Sequence, residues 1–405
     1  MLTVKKPEEV NNVIAENFSP IIGIEEVNLA DALGRVLACD IKSKEYIPAF
    51  NRSTVDGYAV KANDTFGASA SNSIILNCTK EIQMGEAVEG SISPNECMYV
   101  PTGGMLPDGS DAVVMIEYAE QYGNNEIGIL KSVAPSENVI YKGEDAKPDE
   151  IIIHRGKVLT SKEIGSLADL GYSKIAVIKK PLIGIISTGD ELVDANSEVS
   201  LGQVRDVNTS LLCAFAKESN CDAKCYGIIK DCEEALTAKV KEAASECDIV
   251  LISGGSSAGM KDKTASVIDD LGDLYFHGIA IKPGKPTILG KAQGKPIIGL
   301  PGHPVAAYFI SKLYVSAVIS RLCGLDYQLR TIPAVLTENI SANQGRALCV
   351  AVKLATVDGK LMATPVRSKS GLITGIAETD GFIQISRSSE GVAAGGLVDV
   401  ISVLK

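Results

Sequence analysis

The sequence predicts a multidomain α/β protein with a helical N-terminal region, a small inserted β domain, a parallel-sheet domain and an all-β C-terminal region. Three observations carry this prediction. The chain has 405 residues, which at about 150 residues a domain corresponds to roughly three domains. Its 45% hydrophobic and 22% charged residues are typical of a globular chain. Apolar strands alternate with helices over residues 181–325, whereas short strand patterns dominate residues 45–145 and 326–405.

Residues 1–44 and 146–180 are predicted to form one helical domain. Apolar residues recur at helical spacing over 7–18 and again over 29–41, where Asn28 is a candidate N-cap. The helical pattern returns at Thr160, which forms a capping-box pattern with Glu163. Residues 45–145 are instead rich in Gly, Pro and short β-branched runs, which favours a small inserted β domain.

Residues 181–325 alternate apolar strands with Gly-rich turns and helices. Apolar runs over 181–187, 248–253 and 296–300 are followed by TGDEL, GGSSAGMKD and PGHP. This rhythm is typical of a parallel sheet covered on both faces, which binds ligands beyond the carboxyl ends of its strands. Residues 326–405 show strand patterns only, which predicts a small β barrel or sandwich.

The charge balance excludes several classes of protein. Lys and Arg number 39 against 50 Asp and Glu, a net charge of −11, and Trp is absent. A broad nucleic-acid surface needs a basic face and aromatic platforms, so none is expected. A small anionic ligand needs only a few local cations, so it stays compatible with the acidic composition.

No apolar run near ~18 residues and no apolar leader are evident, so we expect a cytoplasmic protein without a membrane segment.

The ten cysteines and three histidines supply little material for a metal centre. No CxxC pair occurs, and only Cys221 and Cys225 lie close together in the chain. We therefore predict small buried thiols, with a zinc or redox role as the alternative.

Three turns carry the candidate binding chemistry. Residues 253–262 combine paired glycines, which let backbone amides approach an anion, with serine hydroxyls. In IKPGKP, Lys282 and Lys285 bracket a rigid Pro-Gly turn and are able to converge on one oxyanion. LPGHP precedes an apolar helix, where first-turn amides are available to an anion. Taken singly, the three segments are also compatible with a tight strand–helix turn, an exposed basic hairpin and a helix-capping turn, respectively.

Carboxylates are expected near the same strand ends. Glu191 follows the first apolar strand, Asp231 follows the strand-like CYGIIK, and Asp262 closes the second turn. Carboxylates at strand ends suit Mg²⁺, although a solvated loop explains any one of them equally well.

Seven motifs in order closely resemble the molybdopterin molybdenumtransferase family, which includes MoeA and the E domain of gephyrin. They span residues 49–305 and read NRSTVDGYAV, PTGGMLPDGSDAVV, ENVIYKGEDAK, STGDEL, SGGSSAGMKD, IKPGKP and LPGHP. The resemblance implies that residues 181–325 form a molybdopterin-binding domain and residues 326–405 a β barrel. It also implies the last step of molybdenum cofactor assembly, in which molybdate is placed on the dithiolene of adenylylated molybdopterin and AMP is released with help from Mg²⁺.

The resemblance also assigns roles to residues. Those implied to be catalytic are Asp56, Thr102, Asp145, Glu191, Lys282 and Lys285. Those implied to hold Mg²⁺ are Asp231, Asp262 and Glu191. Those implied to contact the pterin or the oxyanion are Ser253, Gly254, Gly255, Ser257, Gly259, Pro286, Pro301, Gly302, His303, Pro304, Arg346 and Ser370. A homodimer with a cleft shared by two chains is implied, and a molybdopterin adenylyltransferase is a candidate partner. Neither nucleic acid nor a membrane is expected as a partner.

The sequence departs from the family pattern at a few positions, and alternatives stay open. His303 and Ala306 stand where Asn and Ser are common, and basic residues often found near Ile140 and Gly278 are missing. A paralogue that prefers another oxyanion such as tungstate is therefore one alternative. A molybdopterin adenylyltransferase is a second, because the sheet domain resembles that class. A non-enzymatic scaffold is a third, because the family includes a receptor-clustering member.

Overall fold

The computed structural model describes residues 4–254 and 258–402, with side chains left undescribed over 258–262 and at 402. The chain divides into two compact units: Glu26–Val177 is one, and the segments up to Glu25 and from Ile178 onward form the other. The helices are α1 (Pro7–Asn17), α2 (Ser161–Asp169), α3 (Val207–Glu218), α4 (Glu233–Glu246), α5 (Ala258–Leu271), α6 (Pro304–Ile310) and α7 (Ser316–Leu322).

The unit Glu26–Val177 contains the inserted β domain, which the structure confirms as a six-stranded sheet in the order β7-β4-β6-β5-β9-β8. The early strands of the chain are β1 (Ile24–Asn28), β2 (Ile41–Lys42), β3 (Arg52–Ser53), β4 (Gly57–Val60), β5 (Ile74–Glu81), β6 (Glu96–Val100), β7 (Ala112–Met115), β8 (Ala119–Gln121), β9 (Glu126–Ile129), β10 (Val139–Ile140), β11 (Ile151–Ile153) and β12 (Lys174–Ile178). Helix α2 begins with the predicted capping box, in which Thr160 N–H donates to the Glu163 carboxylate at 2.9 Å.

The predicted second helix of the N-terminal region, over 29–41, is wrong. Only a 3₁₀ turn forms at Leu29–Asp31, and Asn28 makes no side-chain cap to it. Gly34 then adopts a positive φ of 75°, which an α-helix does not accommodate. Beyond it, Arg35 and Leu37 are buried two residues apart, and so are Ile41 and Ser43, as in an extended chain. The apolar residues of this segment therefore fit both periods, and packing selects the extended one.

The other unit is built on a mixed six-stranded sheet in the order β16-β13-β17-β21-β20-β18. Its first four strands are parallel, as predicted, whereas β20 and β18 are antiparallel additions that the sequence pattern did not reveal. The strands of this part are β13 (Leu182–Thr188), β14 (Leu192–Val193), β15 (Val204–Arg205), β16 (Asp222–Ile229), β17 (Ile249–Gly254), β18 (Gly272–His277), β19 (Ile281–Lys282), β20 (Ile288–Ala292) and β21 (Lys295–Leu300).

Helices cover both faces of this sheet. Ile183 and Ile185 of β13 belong to the core cluster that includes α3 and α6, while Ile186 belongs to the cluster that includes α4 and α5. Helices α6 and α7 join through a π-helical segment, Ser311–Val315. The resulting stretch Pro304–Leu322 is long and apolar enough to cross a membrane, contrary to the sequence expectation, but 72% of its apolar window is buried inside the protein. Its apolar side chains thus supply the core of the unit.

The C-terminal region is a closed barrel rather than a sandwich. Its strands are β22 (Thr331–Leu336), β23 (Ile340–Ser341), β24 (Ala347–Val357), β25 (Lys360–Pro365), β26 (Gly381–Ile385), β27 (Gly391–Val392) and β28 (Leu397–Ser402). Five of them run in the order β24-β25-β22-β28-β26, and β26 pairs back with β24. Strand β19 of the preceding region pairs with β24 as well.

The cysteines are less uniformly buried than predicted. Cys97, Cys221, Cys247 and Cys349 are buried, as expected for small apolar side chains. In contrast, Cys39, Cys225 and Cys232 are exposed, and all ten are free thiols. Cys225 lies on β16, which is an edge strand with one unpaired side. Cys39 and Cys232 lie outside the helices and strands, and Cys232 directly precedes α4.

Candidate active site

The carboxyl ends of the parallel strands meet at one edge of the sheet. Thr188 of β13 is in register with Ile229 of β16 and with Gly254 of β17, and Ser253 is in register with Leu300 of β21. The turns that follow these strands therefore leave from the same edge, as predicted.

Gly254 is required at this edge. Its φ is +135°, a conformation that side chains disfavour. A Cβ placed there would also run into the carbonyl oxygen of Thr188 on the neighbouring strand. The predicted site residues Ser253 and Gly254 thus lie at the edge, while Gly255 and Ser257 fall outside the described residues and Gly259 lies in the first turn of α5.

Asn208, near the start of α3, joins two of the turns. Its amide Nδ2 donates to the Ser253 hydroxyl at 2.7 Å and to the Gly302 carbonyl at 3.0 Å. Its Oδ1 is buried and has no partner in the described part of the chain. Asn208, the second residue of α3, was not among the predicted site residues.

The predicted metal ligands cluster only in part. Asp231 Oδ1 accepts from the Thr188 hydroxyl at 2.9 Å, and Glu191 is exposed in the turn after β13. The Asp262 side chain lies outside the described residues. No three His, Cys, Asp or Glu of the described residues form a metal cluster. Because Mg²⁺ usually takes one or two carboxylates together with substrate phosphates, Asp231 suits a shared site of that kind.

A cavity of about 1150 Å³ lies between the sheet region and the barrel. It brings together eight of the predicted site residues, which are Lys282, Lys285, Pro286, Pro301, Gly302, His303, Arg346 and Ser370. Pro304 begins α6 and does not line the cavity. The cavity thus collects residues from three segments that are far apart in the sequence.

The pairing of β19 with β24 positions the lysines. Ile281 lies opposite Ala347 and Lys282 opposite Leu348 in a parallel register, which places the IKPGKP turn beside Arg346. Gly284 in this turn has a φ of +123°, and a Cβ there would lie 2.8 Å from the side chain of Ile310 in α6. The turn therefore packs against α6 more closely than any other residue type would allow.

The cavity is positively charged although the chain is acidic. Five cationic side chains line it, and none of its described lining residues is Asp or Glu; the five are Lys282, Lys285, Arg346, Arg367 and Lys369. Within the described residues, only Arg367 of these has a carboxylate partner, Glu338 at 3.3 Å. Burial raises the pKa of the lining Cys349 thiol to about 12, so that it stays uncharged near neutral pH. The cavity therefore concentrates uncompensated positive charge.

His303 contacts the loop on the opposite side of the cavity. Its Nδ1 lies 2.8 Å from the Ser370 hydroxyl. The backbone of Ser370 takes part too, since its carbonyl accepts from the Val305 amide at 3.1 Å. The expectation that the amides at the start of this helix are free for an anion is therefore wrong for Val305.

Sequence reasoning missed several lining residues. Arg367, Lys369, Asn339 and Ser341 also line the cavity. The signal for the first two was RSKSG, a basic, serine-rich segment between two strands. Nothing local marked Asn339 and Ser341, because only barrel closure places them here.

The residues predicted from the inserted domain lie in the unit Glu26–Val177. Asp56 and Thr102 come together, because Thr102 N–H donates to Asp56 Oδ1 at 2.7 Å. Asp145 is exposed, and its N–H donates instead to the Ile47 carbonyl at 3.0 Å. Each of these acids is thus accessible.

Comparison with known proteins gives a consistent result along the chain. Family models match residues 5–171 (MoeA N-terminal region, domain I and II), 184–321 (probable molybdopterin binding domain) and 333–403 (MoeA C-terminal region, domain IV). The molybdopterin molybdenumtransferase of Staphylococcus epidermidis is 34% identical over 378 residues, covering 93% of this chain and 90% of that protein. The corresponding enzyme of Bacillus subtilis is 32% identical over 411 residues, covering 100% and 96%.

A solved structure agrees with the fold. The molybdopterin biosynthesis MoeA protein of Pyrococcus horikoshii OT3 superposes with a TM-score of 0.86 at 30% identity, covering 98% of this chain and 99% of that one. The similarity thus extends over all four predicted parts. Since near full-length relatives exceed 30% identity, this chain belongs to the MoeA family of molybdopterin molybdenumtransferases, which are enzymes of molybdenum cofactor biosynthesis.

Proposed function

We propose that this chain inserts molybdate into adenylylated molybdopterin, with hydrolysis of the phosphoanhydride and release of AMP. The observation that carries the proposal is the cavity beside the IKPGKP turn, in which five cations meet without a lining carboxylate among the described residues. Such a cavity suits a compact dianion, because hydrogen bonds between ionised groups are stronger than those between neutral groups.

Different cavity residues provide different hydrogen-bond donors for the oxyanion. Lys282 and Lys285 supply ammonium groups from one turn, and Arg346 supplies a planar set of donors from the barrel. The Ser370 hydroxyl adds a neutral donor, and the β19–β24 pairing holds both sides in a defined geometry. These groups bind and orient molybdate near the dithiolene, which lowers the entropic cost of their encounter.

The edge of the sheet suits the phosphoanhydride. Gly254 lies half-buried at the end of β17, where its backbone is open to an approaching phosphate. The Ser253 hydroxyl is buried and accepts from Asn208, so it holds the turn in place. Asp231, with Glu191 and Asp262, would hold Mg²⁺ there, which when bound neutralises charge on the phosphoryl oxygens. The role of this chain in AMP release is thus to bind and orient the phosphates at the strand ends.

We also propose a homodimer in which Asp56, Thr102 and Asp145 contribute to the site, as the family resemblance implies. A cytoplasmic location and a molybdopterin adenylyltransferase partner stay predictions. The alternative that this chain is itself such an adenylyltransferase is not favoured, because the family match includes the N-terminal and C-terminal regions beside the sheet domain. A preference for tungstate likewise has no finding in its favour.

The test is AMP release from adenylylated molybdopterin in the presence of molybdate and Mg²⁺. We expect the wild-type chain to release AMP and Lys282→Ala to lose most of the molybdate-dependent rate. Lys360→Ala is the matched control, because Lys360 is an exposed barrel lysine outside the cavity. ATP consumption with pyrophosphate release, or equal rates in Lys282→Ala and Lys360→Ala, would contradict the proposal.

A further inference from the structure

We propose that Cys213 and Cys225 form a redox-active dithiol, which reacts with small disulfides and closes to a reversible disulfide between α3 and β16. Cys213 lies on α3 and Cys225 on β16, and their sulfur atoms are 2.9 Å apart. Two carbon atoms in contact lie about 3.5–4.0 Å apart, so these two larger sulfur atoms are closer than ordinary contact. Both cysteines are free thiols, and the proposed function uses neither of them.

The fold turns both side chains toward the same border of the core. Cys213 is half-buried, and it packs against the core cluster that also takes Ala223 of β16. Side chains two positions apart on a strand share a face, so Cys225 faces α3 as Ala223 does. Directly after Cys225 the pairing of β16 with β13 shifts at a bulge, where Gly227 has a φ of +79°. The pair therefore lies at an irregular edge of the sheet, where the Cys225 side chain is exposed.

The two cysteines that are close together in the sequence do not form this pair. Cys221 directly precedes β16, and Cys225 lies four residues further along an extended chain, which at about 3.3 Å per residue separates them by roughly 13 Å. A disulfide needs Cα atoms within about 7 Å. Cys221 is also only 2% exposed, and burial raises the pKa of its thiol. The packing of α3 on β16 thus supplies the partner of Cys225.

The two thiols act in sequence on a small disulfide RSSR. Cys225 is exposed, so its thiolate attacks one sulfur of RSSR, forms a Cys225–S–S–R bond and releases RS⁻. The Cys213 sulfur then attacks the Cys225 sulfur, which closes the protein disulfide and releases the second RS⁻. The two protons of the protein thiols end on the two leaving thiolates, so two RSH form and two electrons pass to RSSR.

The environment of Cys213 fits the second of these steps. Burial raises the pKa of the Cys213 thiol, and the hydrogen bond with Cys225 acts in the same direction. Cys213 therefore keeps its proton near neutral pH and is a poor nucleophile toward oxidants in solution. It reacts when the Cys225 sulfur beside it has become part of a disulfide.

Closure of this disulfide stabilises the elements that reach the acidic edge of the sheet. Helix α3 carries Asn208, which bonds two of the turns, and β16 runs toward Asp231. Because the sulfur atoms are already adjacent, the cross-link forms without displacing either element. A cross-link also restricts the unfolded chain, so the oxidised protein should resist unfolding. In a reducing compartment the pair stays a dithiol, and it closes when disulfide oxidants accumulate.

The experiment treats the folded full-length chain with glutathione disulfide and maps its cysteines by mass spectrometry. Trypsin cleaves after Lys217 and Lys224, which places Cys213, Cys221 and Cys225 in three different peptides. We expect the Cys213 peptide to be joined to the Cys225 peptide, with no glutathione on either, and dithiothreitol to separate them again. Oxidation should lower the equilibrium constant for urea unfolding about 10- to 100-fold.

Three variants complete the test. Cys213→Ser leaves Cys225 without its second thiol, so it should stop at a mixed disulfide between Cys225 and glutathione. Cys225→Ser removes the exposed thiol and should leave Cys213 unmodified. Cys39→Ser is the matched control, because Cys39 is an exposed thiol of the other compact unit, and it should form the disulfide as the wild type does. Thermal melting of the reduced proteins verifies that all three variants are folded.

Several results would overturn the inference. Glutathione that persists on Cys225 of the wild type, a link between Cys225 and Cys221, or unmodified Cys213 and Cys225 after treatment would each do so. An oxidised wild type that unfolds as readily as the reduced one would contradict the stabilising role. These outcomes are separate from AMP release, because no step of the proposed function uses either thiol.

Discussion

Two charged sites within the same unit differ in how they are assembled. The acidic edge of the sheet takes Glu191 and Asp231 from the first residues after their own strands, so strand ends alone locate them. The basic cavity takes Lys282, Arg346 and Ser370 from three remote segments. Carboxylates at strand ends are therefore predictable from the local pattern, whereas the basic cavity depends on the pairing of β19 with β24.

The two sites also differ in how their charged side chains are held. The Asp231 carboxylate accepts from the Thr188 hydroxyl, and Lys263 donates to the backbone carbonyl of Asp231 at 3.2 Å. Of the five cavity cations, only Arg367 has a carboxylate partner among the described residues. Mutual repulsion of the cations costs stability in the empty state and is offset when an anion binds. We therefore expect a bound ligand to stabilise the cavity region strongly and the edge of the sheet much less.

The largest expected effect is on the cavity lysines. The double change Lys282→Gln and Lys285→Gln should weaken molybdate binding by about 100-fold or more, because each charge-assisted hydrogen bond contributes about 1.5–3 kcal/mol. Equilibrium dialysis with molybdate measures this. Lys360→Gln, outside the cavity, serves as the control and should bind as wild type. A loss below about fivefold in the double variant would place the anion elsewhere.

The second largest effect is expected for Gly284, which lets the IKPGKP turn after β19 pack against α6. Gly284→Ala combines a positive φ with a contact to Ile310, and should cost about 2–4 kcal/mol in the free energy of unfolding. Gly294→Ala is the control, because Gly294 also has a positive φ of 77° but no atom within 4 Å of the added Cβ. It should cost only about 1–2 kcal/mol. Equal losses on urea unfolding would mean that packing against α6 is unimportant.

A change at Asp231 should reduce AMP release without reducing molybdate affinity. Asp231→Asn keeps an acceptor for the Thr188 hydroxyl but removes the charge, so AMP release should fall about 10- to 100-fold. Molybdate affinity should stay within about twofold of wild type, and higher Mg²⁺ concentration should restore part of the rate.

Asp190→Asn is the matched control, because Asp190 accepts from the Asp231 amide at 3.2 Å and an asparagine still accepts there. It should lose much less activity. A parallel loss of molybdate affinity in Asp231→Asn would show that the two sites are one.

The weakest effect on molybdate binding is expected for Arg367, which already pairs with Glu338. Arg367→Gln should weaken molybdate binding only about twofold, because Glu338 at 3.3 Å offsets its charge. Lys369→Gln, which removes an unpaired charge, should cost about fivefold. Glu338→Gln should strengthen binding slightly by releasing Arg367. The reverse order, with Arg367 more important than Lys369, would contradict charge compensation as the deciding factor.

Local patterns predicted some elements correctly and failed where contacts with distant residues decide the conformation. The capping box at Thr160 and Glu163 needs only four consecutive positions, and it forms. The helix expected over 29–41 does not form, because its apolar residues satisfy extended packing equally well and Gly34 adopts a positive φ. The strands β18 and β20 were not predicted. Strand β20 pairs antiparallel with β21 and β18 pairs antiparallel with β20, and such pairing across the sheet is not set by residue order.

Adjacent residues were enough to indicate the family, the alternation of strands and helices in the sheet domain, and the two ammonium groups of Lys282 and Lys285 on a Pro-Gly turn. These features are local, because they depend on residue spacing, turn chemistry and charge. Folding, in contrast, places Arg346, Arg367 and Lys369 around the same cavity and brings His303 to Ser370. Barrel closure and the β19–β24 register determine those distances, and both are long-range pairings that no single segment encodes.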